Sequence, residues 1–380
     1  MPTIIHTADV HLGAPLGWLG ERATDQRDQL RQTFRSVIDM TRDEDADCLI
    51  IAGDLFDSNR PPASTVRFVM RELARLTDGS EAHVILLPGS HDHAGDGSVY
   101  ECYSSELAQI DRVSVLGVSG VTEARVPRAG LVVHGRPAAA SRSSERQMAA
   151  LTPDPEANHN IAVLHGSVDV VPGASDDHPI SREELRAPGW SYVALGHWHS
   201  WKEIEGGDTP AVYPGAPEIV APDQTGSGYV ARVSIGHGGT TVAQVRVAKR
   251  LLADAVIDVA GATDTVEVAH RVRSAVPPES ETILRLALSG LIPLDSSFDA
   301  RVLLEELKGD YFQVLPPRES FHVRLTDADL DGLPERLVVG RYVRLMRQKI
   351  DAAESDADRD ELEAALQMGV ALLQGKDVLS

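Results

Sequence analysis

Short apolar runs that break into polar loops alternate with helical stripes through the first third of the chain. "PTIIHTADVH" reads as a strand and then a loop. From Gln26 to Thr41, Leu30, Phe34, Val37, Ile38 and Thr41 recur at the spacing of one helix face. "ADCLIIAGDLFD" is almost continuously apolar and ends in Gly-Asp. Such a strand is covered on both faces, as in the middle of a layered α/β sheet. A helix is expected from Ser64, as N-cap, to Leu76, with Val66, Val69, Met70, Leu73 and Leu76 buried. "AHVILLPGSHD" is again strand then loop.

The rhythm then shortens. "RVSVLG", "GLVVHGRP", "NIAVLHGSVD", "YVALGHWHS" and "AVYPGAPEIV" are brief strands cut by Gly, Pro and Asp turns. The Ala-rich stretch from Arg136 to Gln147 is expected to begin a helix. This pattern predicts an α/β fold, a two-sheet αββα sandwich, over residues 1–248. Residues 249–325 follow a strand-helix-strand-helix-strand order, with helices near Thr265–Ala275 and Phe298–Leu307, and suggest a small α+β cap. Residues 333–380 suggest a helical hairpin. One stripe is Leu337, Val338, Tyr342, Leu345, Met346 and Ile350; the other is Leu362, Leu366, Val370 and Leu373. The hairpin packs either on its own chain or on a partner helix.

Bulk properties narrow the class. A chain of 380 residues exceeds one small core. No apolar run approaches the roughly 20 residues that span a bilayer, and the opening residues read as a strand rather than a leader. Cys48 and Cys102 are the only cysteines and read as small apolar residues, so a cytoplasmic location is the default expectation. The formal charge of −21 disfavours a stand-alone nucleic-acid binder, since phosphate contacts come from Lys and Arg. It leaves room for an enzyme that holds phosphate through metal ions.

The chemistry gathers in five loops after strand ends. They carry Asp9 and His11 ("ADVHLG"), Asp54 ("GDLFD"), His91 and Asp92 ("GSHD"), His165 ("LHGS"), and His197 and His199 ("GHWH"). In Asp9-x-His11 and His197-x-His199, extended backbone would put both side chains on one side. Gly53, Gly89 and Gly196 are expected to let the chain turn tightly. Mixed carboxylate and imidazole donors suit Mn, Fe or Zn, and paired ions can clamp a phosphate ester and acidify water. Asp54 is the candidate shared carboxylate. A lone D-x-H or H-x-H says little; the ordered set points to a dinuclear centre. His6, His83, His93, His134 and His159 are expected to be structural or exposed.

"HTADVHLG", "IAGDLFD", "LPGSHD", "LHGS", "LGHWH" and "YPGAPE" together resemble the calcineurin-like metallophosphoesterases, and within them the SbcD-type DNA repair exonucleases. The resemblance implies that Asp9, His11, Asp54 and His199 bind one metal ion. It implies that Asp54, Ser90, His165 and His197 bind a second. His91 would sit beside the scissile phosphate, and Asp92 would hydrogen-bond its imidazole. It further implies two divalent ions, manganese by family habit with Fe²⁺, Zn²⁺ and Mg²⁺ as alternatives. The implied partners are DNA ends and an SbcC-like SMC-type ATPase docked on the helical tail, with a homodimer through helices of the catalytic domain and no membrane.

Ser90 departs from the family asparagine, being shorter and a weak neutral ligand. Water fills its place, or the second ion binds weakly, or the centre is degenerate. The readings that follow are a metal-dependent DNA exonuclease or endonuclease acting in repair, a phosphodiesterase for small molecules or cyclic nucleotides, and a catalytically weakened scaffold protein.

Overall fold

The computed structural model describes residues 1–168, 177–293, 296–324, 330–353 and 355–373. The chain divides into two compact units, Met1–Leu251 and Leu252–Ser380. In the first, chain order begins β1 (Thr3–Thr7), α1 (Ala23–Asp43), β2 (Cys48–Ala52), α2 (Ala63–Gly79), β3 (His83–Leu87), α3 (Val99–Cys102), α4 (Ser104–Leu107) and β4 (Val113–Val115). It continues with β5 (Glu123–Val126), β6 (Leu131–Gly135), β7 (His159–His165), β8 (Ser167–Val168), β9 (Pro179–Ile180), α5 (Arg182–Leu185) and β10 (Tyr192–Gly196). It closes with β11 (Lys202–Glu203), β12 (Ala211–Tyr213), β13 (Tyr229–Gly236) and β14 (Gly239–Arg246).

Two six-stranded mixed sheets result, ordered β14-β13-β1-β2-β3-β4 and β11-β12-β10-β7-β6-β5. They face each other across one apolar core. Ile4, Cys48, Ile50, Ile85 and Leu87 from the first sheet meet Val133, Ile161, Val163, Tyr192 and Ala194 from the second. The alternate residues turn outward. Ala162, Leu164, Val193 and Leu195 pack with Met148, Leu185 and Trp190 in a separate outer cluster. Period-two alternation between two apolar layers explains why these strands read as unbroken hydrophobic runs. The αββα sandwich expected from the sequence is thus present, with helices flanking the sheets.

Helix α1 buries Leu30, Phe34, Val37, Ile38 and Thr41, as its periodicity predicts, and adds Gln26, Gln29 and Thr33. The start of α2 differs from expectation. Pro62 is its N-cap and no side chain caps it, while Ser64 lies inside the first turn. The Pro62 carbonyl accepts from Thr65 N–H at 2.8 Å and Val66 N–H at 3.3 Å, and proline's fixed φ suits the entry to the helix. The helix expected from Arg136 is absent; a short 3₁₀ turn, Met148–Ala150, is the helical piece that forms. Its alanines serve another purpose. Ala138 N–H donates to the Pro88 carbonyl at 3.3 Å and Ala94 N–H donates to the Ala138 carbonyl at 2.8 Å. The segment buttresses the "PGSHD" loop, and those tertiary bonds override local propensity.

The second unit holds β15 (Leu251–Asp258), α6 (Thr265–Ala275), β16 (Glu279–Pro293), α7 (Ala300–Glu306) and β17 (Tyr311–Arg324). The sheet order is β15-β16-β17, with β16 and β17 parallel. Asp264 and Asp299 cap α6 and α7 through their carboxylates. Two further helices, α8 (Val338–Asp351) and α9 (Asp356–Leu373), pack through Val343, Met346, Leu366 and Val370. The inward stripe of α8 is rotated from the one expected: Leu337, Val338 and Leu345 face solvent. Tyr342 sets the rotation. Its hydroxyl donates to the Ala365 carbonyl at 2.7 Å, and its ring fills the space that a side chain at Gly369 would need. Leu373, expected in the α9 stripe, is also exposed.

Candidate metal centre

Strands β1, β2 and β3 run parallel, as do β7 and β10. Their C-terminal ends therefore open on common edges of the two sheets. Loop backbones extend the β1–β2 pairing past the strands: Asp9 N–H donates to the Gly53 carbonyl at 3.1 Å and His11 N–H to the Asp54 carbonyl at 3.0 Å.

The candidate residues converge by a route the sequence does not suggest. Asp9, His11, Asp54 and His197 have φ of 53°, 49°, 51° and 105°. None is extended, so the two-residue spacing does not work by strand alternation. Left-handed backbone at non-glycine residues costs energy that the surrounding bonds must offset.

The glycines also act differently from expectation. A side chain at Gly89 would strike the Asp54 carboxylate, and one at Gly196 would strike the Ala52 carbonyl. Neither has positive φ; both give room for close approach. Gly53 combines the two, with φ of 91° and the His165 ring against its open face.

Three groups of donor atoms form among the described residues. Asp9, His11 and His199 make one, Asp9, Asp54 and His165 a second, and His11, Asp57 and His91 a third, with atoms of each group mutually within 4.8 Å. Within them His11 Nε2 lies 3.1 Å from His199 Nε2, and Asp9 Oδ1 lies 3.9 Å from His199 Nε2. Asp9 is common to the first two, and Asp54, a member of the second, also reaches toward the first. Its Oδ2 is 3.8 Å from His11 Nε2 and 3.3 Å from His165 Nε2. Ser90 donates to that oxygen at 3.2 Å and lies 3.4 Å from His165 Nε2, so its hydroxyl is inside the second group's surroundings. His197 belongs to none of these groups, although its ring centroid lies 5.1 Å from that of His165. Its Nε2 is 3.1 Å from Asp177 Oδ1, while its backbone N–H donates to the Asp9 carboxylate at 3.0 Å.

His91 and Asp92 separate in role. The expected hydrogen bond from Asp92 to the His91 imidazole is not formed. Asp92 Oδ1 accepts from Gly89 N–H at 2.7 Å and Asp54 N–H at 3.2 Å; Oδ2 accepts from Phe56 N–H at 3.0 Å and the Tyr100 hydroxyl at 2.7 Å. Fully buried, Asp92 ties two loops together. His91 Nδ1 instead donates to the Asp57 carbonyl at 3.0 Å, and its backbone N–H donates to Asp54 Oδ1 at 2.8 Å.

Asp57 was not singled out by the sequence, although it closes the "GDLFD" stretch three residues after Asp54. Its Oδ1 lies 3.1 Å from His11 Nδ1. With Nδ1–H directed at the carboxylate, His11 Nε2 keeps its lone pair for the centre. Gln224 meets His199 Nδ1, and Gln147 accepts from the backbone N–H of His165 at 3.1 Å. Nothing in the local sequence marks either glutamine, because their role depends on folding across distant segments.

The electrostatics suit cations. Burial opposes charge on Asp54, but the His165, His11 and His91 imidazoles hold its carboxyl well below the usual range. Burial likewise opposes protonation of His165, yet Asp54 and Asp9 drive it up to about 10. Burial lowers His197 to about 4 and, with His11 adding to it, His199 to about 3. Two buried carboxylates thus draw a positive charge between them, while two imidazoles stay neutral with lone pairs available. Carboxylate and neutral imidazole donors at this density fit first-row divalent ions.

A two-sheet sandwich carrying this centre defines the class: the chain belongs to the calcineurin-like phosphoesterase family, whose profile matches residues 2–201. It is a metallophosphoesterase, a hydrolase acting on phosphoester bonds. It is similar to the DNA double-strand break repair protein Mre11 of Methanopyrus kandleri, 30% identical over 232 residues, covering 56% of this chain and 48% of that one. It is also similar to the uncharacterized metallophosphoesterase YhaO of Bacillus subtilis, 25% identical over 333 residues, covering 84% and 78%. A component of the nuclease SbcCD of Bacillus subtilis is 26% identical over 266 residues, covering 61% and 65%. The chain thus spans about half the length of the Mre11 relative. No described helix is long and apolar enough to cross a membrane.

Proposed function

We propose that this chain is a dinuclear-metal-dependent DNA nuclease, exonuclease or endonuclease, that processes DNA ends beside an SbcC-like SMC-type ATPase. The observation that carries it is the pair of donor groups, drawn from both sheets, that share Asp9 and are linked again by Asp54, with His91 on the adjoining loop. The names of the Mre11 and SbcCD relatives support DNA as the substrate.

Asp9, His11, Asp54 and His199 would hold one ion, and Asp54, His165 and His197 the other, with Ser90 beside it. Divalent ions there, Mn²⁺ by preference, supply charge against the developing negative charge at phosphorus and acidify water. The chain's own groups do the rest. Asp57 fixes the tautomer of His11. The Asp57 carbonyl accepts a hydrogen bond from His91 Nδ1–H, which leaves Nε2 as the ring nitrogen for the substrate. In the imidazolium form, Nε2–H would donate to the leaving oxygen. Asp92 holds the loop that carries His91.

The ATPase belongs to the same proposal. Val338 and Leu345 lie seven residues apart on α8, 71% and 52% exposed, and give an apolar face for a partner helix. Homodimerisation would need surfaces other than the α1 and α2 stripes, which face inward.

The test is release of nucleotides from linear duplex DNA with Mn²⁺, with and without the ATPase. Activity is expected in wild type and lost in Asp54→Ala and His91→Ala. Metal-loaded wild type that releases nothing in either condition overturns the reading. Preferential turnover of cyclic nucleotides would place the substrate among small molecules.

A further inference from the structure

The loop that carries His197 and His199 holds two tryptophans with opposite fates. Trp201 is partly buried against the inter-sheet core and packs edge-on to Tyr229, ring centroids 6.5 Å apart. Trp198 remains 41% exposed. Apart from Met1, it is the only strongly exposed large hydrophobic residue described in the first unit. An indole left in water forfeits the burial that Trp normally contributes, so its position calls for a reason.

Trp198 is also not loose. Its Nε1–H donates to Ser167 Oγ at 3.2 Å. Ser167 donates to Asp177 Oδ2 at 2.5 Å, and Asp177 Oδ1 is 3.1 Å from His197 Nε2. One chain of bonds therefore fixes the indole to an imidazole of the candidate centre. Lys202 Nζ stands over one face of the ring, 5.6 Å from its centroid, which leaves the opposite face for a base. An exposed, oriented aromatic ring, a cation over one of its faces, and candidate metal-binding histidines on both sides of it in sequence form a combination suited to a nucleotide. Bases stack on aromatic side chains regardless of sequence, and a neighbouring lysine attracts the backbone.

We infer that Trp198 is a stacking platform for the nucleobase next to the scissile phosphate, with Lys202 facing the adjoining backbone. The inference rests on the nuclease reading and adds to it the part of the substrate that positions the phosphate. It makes base recognition independent of base identity, as suits a nuclease working through any sequence. It is a binding role: Trp198 donates no proton and ligates no ion.

The test compares single-stranded oligonucleotides that differ only in having a normal or an abasic nucleotide beside the cleaved bond, with Mn²⁺ at saturation. Wild type is expected to show a KM about tenfold lower for the base-bearing strand. Trp198→Ala is expected to erase that ratio, and Trp198→Tyr to restore most of it, with Mn²⁺ content equal across variants. A wild type that cleaves both strands with equal KM overturns this inference and leaves the nuclease reading intact. So does a Trp198→Ala variant that loses kcat on both strands with the ratio preserved, since that marks a structural role toward His197. A wild type that cleaves neither strand overturns this inference, and the nuclease reading falls with it only if linear duplex DNA is also left uncut.

Discussion

Asp57 Oδ1 lies 3.1 Å from His11 Nδ1, and the carbonyl of the same residue accepts from His91 Nδ1 at 3.0 Å. One residue thus sets two imidazoles, one through its side chain and one through its backbone. The two functions can be separated by mutation. Asp57→Ala removes the carboxylate and keeps the carbonyl. Mn²⁺ affinity is expected to fall about 10–100-fold, as for outer partners of ligating histidines, while kcat at saturating Mn²⁺ falls much less. Calorimetric titration and a rate series against Mn²⁺ concentration check this; an unchanged affinity would refute it.

Asp92 is expected to matter for stability rather than for the chemistry of His91. Its carboxylate accepts from three backbone N–H groups and the Tyr100 hydroxyl in a fully buried position. Asp92→Ala leaves four donors without an acceptor, at a cost of about 3–5 kcal/mol. Urea unfolding should show it. His91→Ala, at an exposed site, should shift the urea midpoint little. Equal stability of the two variants would contradict the assignment.

Ser90 gives a third measurement. Its hydroxyl sits between Asp54 Oδ2 and His165 Nε2, at 3.2 and 3.4 Å. Ser90→Asn places an amide oxygen nearer the second donor group and is expected to tighten the weaker Mn²⁺ site several-fold. Ser90→Ala, which removes the hydroxyl's contacts with Asp54 and His165 but no strong ligand, should leave the number of bound ions unchanged. Two-site calorimetry distinguishes them, and an asparagine variant no tighter than wild type would remove position 90 from the centre.

His6 sets an acid limit on the sandwich. Burial lowers it from 6.5 to about 3, and its Nδ1 is 2.8 Å from the Tyr192 hydroxyl. The unfolded chain takes up this proton near pH 6.5 and the folded chain only near 3. Between those values the unfolded state binds more protons, so stability falls as pH falls across that window and levels off below it. The full effect is on the order of 4–5 kcal/mol. In His6→Phe, this component of the pH dependence should vanish. Thermal melts from about pH 7 down to about pH 3.5 compare the two slopes; parallel curves would count against His6 as the source.

The legible part of this protein is its periodic part. Leu30, Phe34, Val37, Ile38 and Thr41 on α1, and the apolar runs of β2, β3, β7 and β10, could be placed from spacing alone because two buried layers dictate it. The loop donors could be listed for a similar reason: His and Asp after strand ends are visible letters. What spacing could not supply was who holds whom. Asp92 and His91 are neighbours in sequence, yet Asp92 turns to the backbone of Gly89, Asp54 and Phe56. The partners of His197 and His199 are Asp177 and Gln224, each 25 residues away or fewer but without any motif of their own. The Arg136–Gln147 stretch read as helix because alanine favours one, and only the Pro88 and Ala94 contacts show why it stays irregular. On α8 the hydrophobic residues were visible, but the rotation of the stripe is decided by one tyrosine hydroxyl and one glycine.

The placement of Asp54 has a mechanical side. Asp9, His11, Asp54 and Ser90 hang from the first sheet, and His165, His197 and His199 from the second. A cation gripped from both sides would add to the bonds that already cross this edge, where the His197 N–H meets the Asp9 carboxylate and His165 Nδ1 lies 2.9 Å from the Ala52 carbonyl. Loading the centre would then also be expected to stiffen the joint between the two sheets, so that the same donors serve adhesion as well as chemistry.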